Sequence, residues 1–190
     1  MFFLFNFYFD KTMNELSLIE EQNGISPEQL NKMIDDLISQ YPNIKKLLII
    51  PPDYTRCYSY AGEITRLLYD KLSSRCTIHV MPALGTHMPM SKEEIHIFFG
   101  DSIPPENIII HHWQTDTVRL GYIPEEVCSK ISDGLFPEKI DIELNHLLVD
   151  GGYDLILSVG QVVPHEVVGM ANYSKNIFVG TGGREMINKS

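Results

Sequence analysis

Three short stretches of the chain hold side chains that can move protons or grip an anion. The first is Pro51-Pro52-Asp53-Tyr54-Thr55-Arg56, directly after the apolar run Leu47-Leu48-Ile49-Ile50. Two prolines stop a strand ladder and project an acid, a hydroxyl and a guanidinium from one turn. A guanidinium holds a carboxylate or phosphate through two parallel hydrogen bonds. The carboxylate can orient that guanidinium or accept from a sugar hydroxyl. A local Asp53–Arg56 ion pair capping the next helix accounts for the same residues equally well. The second stretch is Gly85-Thr86-His87-Met88-Pro89-Met90, after the strand-like Thr77–Leu84. Glycine permits a tight exit, Thr86 can bond the backbone, and His87 stands at the tip, able to exchange a proton near neutral pH.

The third stretch runs from Gly160 to Gly169 and sets Pro164-His165-Glu166 between two valine pairs. A solvent loop does not normally surround a histidine in this way, so His165 reads as presented in a partly buried setting. Lys175 follows among Asn172, Tyr173, Ser174 and Asn176, and then comes Gly180-Thr181-Gly182-Gly183. A glycine cluster opening a helix can cradle an anion on backbone N–H groups; a simple flexible turn reads the same.

The other histidines carry less. His79 and His96 lie inside elements. His111 and His112 are adjacent and face opposite sides of a strand, and His146 reads as a core or surface residue. Cys57, Cys76 and Cys128 are odd in number and lack CxxC spacing. Neither a disulfide framework nor a zinc knuckle follows from them. A reducing, cytoplasmic setting fits.

The elements that must position these groups are legible from pattern. Ser26-Pro27-Glu28-Gln29 is a capping box with proline at the first helical position. Leu30, Met33, Ile34, Leu37, Ile38 and Tyr41 then recur at helical spacing. Pro42 stops that helix, and Leu47–Ile50 reads as a strand buried on both faces. Tyr60, Ile64, Leu67, Leu68 and Leu72 mark a second helix, and Ser91 with Glu94 opens a third. Strands are expected at Asn107–His111, Glu143–Val149, Asp154–Val159 and Asn176–Val179, and Gly182-Gly183 opens a last helix. Residues 113–140 give no clear pattern. Met1 to Phe9 reads as an edge or pairing strand, within a strand or hairpin appendage over residues 1–20. Strands alternating with helices specify an α/β fold, a mostly parallel sheet with helices on both faces. Ligands in such sheets bind beyond the carboxyl ends of the strands, which is where all three stretches fall.

With 190 residues, 44% of them apolar and 21% charged, the chain makes one α/β domain. Its net charge of −10 argues against a general nucleic-acid binder, which needs a basic face. No apolar run is long enough to span a bilayer.

Taken together, Asp53-x-Thr55-Arg56, Gly85-Thr86-His87-x-Pro89-Met90 and Pro164-His165 followed after nine residues by Lys175 resemble the N-terminal domain of the nickel-dependent lactate racemase family. The resemblance implies the first domain of a two-domain enzyme that racemises or epimerises a small-molecule 2-hydroxy acid with a nickel-pincer nucleotide. It implies that His87 and His165 act in turn as general base and acid, and that Lys175 carries the cofactor covalently. Asp53, Thr55, Gly85 and Thr86 would contact the cofactor, and Arg56 the substrate. The family's nickel histidine and second domain would fall past Ser190. The chain is therefore expected to be a fragment, inactive alone, without a metal ligand of its own and partnered by its own C-terminal domain; a homo-oligomer is compatible. Two departures mark a divergent subgroup. Pro52 stands where the family has its first acid, and Gly169–Ser174 carries larger residues than the family's glycine- and serine-rich turn.

Two other readings use the same residues. One is a metal-assisted hydrolase or lyase built on His87, His165 and Glu166. The other is a non-catalytic module in which Arg56 and the Gly180–Gly183 loop hold a nucleotide or phosphate.

Overall fold

A computed structural model of the chain describes residues 5–6, 16–20, 24–165 and 169–189. In chain order its elements are β1 (Phe5–Asn6), α1 (Pro27–Ser39), β2 (Lys46–Ile50), α2 (Ala61–Leu72), β3 (Thr77–Val80), α3 (Lys92–Phe99), β4 (Thr117–Ile123), α4 (Glu125–Ile131), β5 (Ile140–Asn145), α5 (Leu147–Asp150), β6 (Leu155–Ser158), β7 (Pro164–His165), β8 (Gly169–Met170), α6 (Ser174–Phe178) and α7 (Arg184–Lys189). Short 3₁₀ turns cover Tyr54–Ser59 and Pro105–Asn107.

The main sheet runs β1-β6-β2-β3. The last three strands are parallel, and β1 joins β6 as an antiparallel edge. Alternation along β2 decides what lies on each face. Leu47 and Ile49 point into a core with Leu155, Leu157, Ile78 and Val80, covered by α1, α2 and α3. Leu48 and Ile50 point the other way, against Ile156, Leu144 and Ile177 from β6, β5 and α6. Both faces are covered, as the apolar runs require.

The helix starts follow their expected chemistry. Ser26 Oγ accepts from the Gln29 N–H at 3.2 Å while Gln29 Oε1 accepts from the Ser26 N–H at 2.8 Å. Ser91 and Glu94 repeat this at 3.2 and 2.7 Å. Each box satisfies two N–H groups that a helix start otherwise leaves unbonded.

Four expectations are corrected. Asn107–His111 is not a ladder strand: Pro104 and Pro105 wind the entry into a 3₁₀ turn, and only one bridge, Ile108 to Val80, forms. The strand placed at Glu143–Val149 begins earlier, as β5. It ends at Asn145, whose Oδ1 accepts from the Leu147 N–H at 3.0 Å and turns the chain into α5. Residues 117–145 hold an antiparallel pair, β4 with β5. Asn176–Val179 is helical: the N–H groups of Val179 and Gly180 both donate to Lys175 O at 2.9 Å. Its apolar residues were too few to separate a helix turn from a strand by pattern. Thr77–Leu84 is regular strand only to Val80; beyond it the Met81 and Ala83 N–H groups still donate to Ile49 O and Pro51 O at 2.9 and 2.8 Å, and Ala83 bridges Pro52.

The strand order explains where a site can form. From β2 the chain moves to β3 on one side, and much later returns to β6 on the other. The connections thus diverge beyond the carboxyl ends of β2 and β6, the crevice where open α/β sheets bind ligands.

Candidate active site

Beyond β2, Asp53 caps the 3₁₀ turn. Its Oδ1 accepts from the Thr55 N–H at 3.1 Å and from Thr55 Oγ1 at 2.5 Å. Its Oδ2 meets His87 Nδ1 at 2.5 Å. Asp53 is buried, whereas the His87 side chain is 59% exposed, so the carboxylate is fixed in the wall and the ring reaches outward. The local Asp53–Arg56 pair is not formed. Arg56 has no ion-pair partner among the described residues.

The tautomer of His87 follows from these contacts. A carboxylate can only accept, so the ring nitrogen facing it carries the proton. In neutral His87 that is Nδ1, and the lone pair lies on Nε2. The ring is delivered by a tight turn in which the His87 N–H donates to Leu84 O at 2.8 Å. Gly85 takes φ +55° inside that turn, and its N–H donates to Gly180 O at 2.9 Å.

Beyond β6, His165 sits on the small hairpin β7–β8, paired opposite Gly169. Glu166 lies outside the described residues. Lys175 is on the first turn of α6, directly after Asn172 and Tyr173, whose φ values are +56° and +54°. These are glycine-like conformations. Two non-glycine residues thus hold backbone conformations that glycine adopts readily.

These strand ends converge. Asp53, Thr55, Arg56, His87, His165 and Lys175 all line one cavity of about 190 Å³. Its other walls are Pro52, Ser59, Ala83, Gln161, Val163, Ala171, Asn172 and Asn176, none of which sequence reasoning assigned to the site. Only the asparagines beside Lys175 carried a signal, as polar residues in an otherwise apolar stretch. A second, more open cavity of about 270 Å³ lies against the same Asp53–His87 pair and is lined by Tyr54, Thr55, Met88, Met90 and Glu94.

Gly85 and Thr86 line neither cavity; here they turn the chain toward His87. The Gly180–Gly183 loop is not an anion cradle. Its four N–H groups donate to Lys175 O, Ile177 O, Val179 O and Glu143 O. The Glu143 carboxylate also accepts from the Glu185 N–H at 3.3 Å at the start of α7. Among the described residues no group of three or more His, Cys, Asp or Glu could hold a metal ion, and no helix is long and apolar enough to cross a membrane.

His111, set aside in the sequence, has a defined place. It is buried, its Nε2 lies 3.1 Å from Gly182 O and its Nδ1 3.0 Å from Asn145 Nδ2. The carbonyl requires Nε2–H and the amide N–H requires an acceptor at Nδ1, so the neutral ring fits. Burial, first of all, pushes its pKa below the usual histidine value. His79 is lowered too, by burial and then by Lys46.

A family model described as the lactate racemase N-terminal domain matches residues 14–190. The crystal structure of a Thermotoga maritima protein superposes with a TM-score of 0.77 at 26% identity, over 88% of this chain and 41% of that one. The lactate racemase apoprotein from Thermoanaerobacterium thermosaccharolyticum is similar in fold, with a TM-score of 0.55 at 22% identity over 74% of this chain and 31% of that one. This chain thus spans less than half the length of either. No curated protein sequence matches it.

Proposed function

Since the chain belongs to the lactate racemase N-terminal domain family, we propose that its cavity is the acid–base half of an active site that racemises or epimerises a 2-hydroxy acid. The observation that carries this reading is the Asp53–His87 pair facing the same cavity as His165, Arg56 and Lys175.

Each residue has a part. Arg56 takes the substrate carboxylate through paired N–H bonds. His87, with its proton held on Nδ1 by Asp53, offers Nε2 as base to the 2-hydroxyl of one enantiomer. His165 does the same for the other. One ring takes the hydroxyl proton of the incoming enantiomer as C2 becomes planar, and the other gives a proton to the oxygen when C2 is again tetrahedral in the opposite configuration, so the two rings exchange roles for the reverse reaction. The second cavity, floored by Tyr54, Met88 and Met90, gives room for the substituent on C2.

The residues present suit the family's nickel-pincer nucleotide. Lys175 lies in the wall for attachment, and, among the described residues, Arg56 has no ion-pair partner and the buried Asn172 side-chain N–H has no acceptor. When bound, such a group supplies the acceptor and donor of the hydride. Lys175 and Thr55 would hold it in this chain, and the second domain expected from the family would cover it.

The test is configuration exchange of 2-hydroxy acids by the cofactor-loaded protein. His87→Ala and His165→Ala are each expected to lower turnover by about 10²- to 10⁴-fold, the range for a positioned acid or base, with unchanged unfolding curves. Full turnover in both variants would refute the assignment.

A further inference from the structure

Asn172 carries an inference that rests on this reading of the cavity and extends it. The residue is 6% exposed and lines the cavity beside Lys175. Its Oδ1 accepts a long bond, 3.5 Å, from Ser158 Oγ. Its Nδ2 is sealed from solvent and has no acceptor among the described residues. Buried side-chain donors are rarely left this way. Turning the amide over gives no relief, since one end meets Ser158 and the other is then an orphaned carbonyl.

The backbone adds a second cost at the same place. Asn172 and the following Tyr173 both hold positive φ. Six described glycines do so elsewhere, Gly85 and Gly169 among them, and so do Tyr60 and Asp133; Asn172 differs in joining a positive φ to an unmet buried donor. At 172 a side chain is kept despite the backbone and the unmet donor. Room is made for it, too: a Cβ on Gly160 would come within 2.8 Å of Asn172 Cγ. Strain and an unmet donor held together at a cavity wall mark a group positioned for something that arrives later.

We propose that Asn172 is a ligand-binding residue whose amide N–H donates to an oxyanion, carboxylate or phosphate, drawn into the cavity by Arg56 and Lys175. The anion supplies the acceptor that the free chain lacks. Because Asn172 donates to oxygen rather than merely attracting charge, it favours anions with an oxygen directed at this corner of the wall.

Two substitutions separate this role from a structural one. Asn172→Gly suits φ +56° and removes the unmet donor, so the free chain should unfold at the same or a higher temperature. Asn172→Asp keeps shape and backbone tolerance but exchanges the donor for an acceptor. Both are compared with the unsubstituted chain by calorimetric titration with L-lactate in one arm and inorganic phosphate in the other. Affinity is expected to fall on the order of tenfold or more in the glycine variant, and further in the aspartate variant, which repels an anion. The arm that responds identifies the source of the oxyanion.

Unchanged affinity in Asn172→Gly, or undiminished affinity in Asn172→Asp, overturns this inference alone, provided Arg56→Ala still weakens binding. If the unsubstituted chain binds neither probe, or Arg56→Ala changes nothing, the reading of the cavity itself fails and this inference with it.

Discussion

Replacing Asp53 by Asn tests the core of the site with the least structural damage. The carboxylate has two jobs, one at each oxygen. Oδ1 caps the 3₁₀ turn through the Thr55 N–H and hydroxyl, and Oδ2 faces His87 Nδ1. Asparagine caps a helical turn about as well as aspartate, so stability should change by less than about 1 kcal/mol. The other end behaves differently. If the amide oxygen keeps the cap, the amide nitrogen faces the ring, and a donor there demands an acceptor at Nδ1. The ring proton then moves to Nε2, the nitrogen assigned as base, and the lone pair is lost from the cavity. The same tautomer error costs a Ser-His-Asp triad about 10⁴ in turnover. Because the His87 side chain is 59% exposed and water can hold a ring in either form, the expected loss is smaller, about 10²- to 10³-fold, within the range for one acid–base group. Long-range ¹H–¹⁵N correlation spectra of the histidine rings report the tautomer without any turnover. Neutral His87 should show the proton on Nδ1 in the unsubstituted chain and on Nε2 in Asp53→Asn. A proton already on Nε2 in the unsubstituted chain, or undiminished turnover in the variant, would refute the reasoning.

Two further outcomes concern the frame around the site. His111 and His79 both have pKa values lowered by burial, whereas in the unfolded chain they take a proton near the ordinary value of about 6.5. The unfolded state therefore binds more protons over that interval, and stability is full above pH ~6.5 and lost as pH falls toward the lower folded values. Urea midpoints should fall between pH 7.5 and 5, and less steeply in His111→Leu; a slope unchanged by that substitution would remove His111 from the account. Gly180→Ala would place a Cβ 2.5 Å from both Ala83 Cβ and Asn176 O, one of them backbone that cannot move aside cheaply. It should destabilise the chain by about 1–3 kcal/mol in denaturant unfolding, and a midpoint within error of the parent would show that the junction is looser than its geometry.

What the amino-acid order settled by itself is local. Ser26 with Gln29 and Ser91 with Glu94 place helix starts because a cap acts over three residues. Leu47–Ile50 and Asp154–Val159 place buried strands because no other element tolerates such runs between prolines and glycines. These strands end at Asp53–Arg56 and Gly160–His165, so candidate side chains were legible, and so was the family to which they belong. The tertiary structure decided the partnerships. Only the order β6-β2-β3 brings His87 and His165 to the turn that holds Asp53. Only the fold shows Asp53 facing His87 rather than Arg56, since both are within reach in sequence terms and the outcome depends on which donor the backbone delivers. The β4–β5 pair was undecided and the helix Ser174–Phe178 was read as a strand at Asn176–Val179, because short apolar runs take their form from the surface that covers them. Asn172 gave little outward sign in the sequence; its buried N–H, without an acceptor among the described residues, exists only once Gly160, Ser158 and α6 close around it.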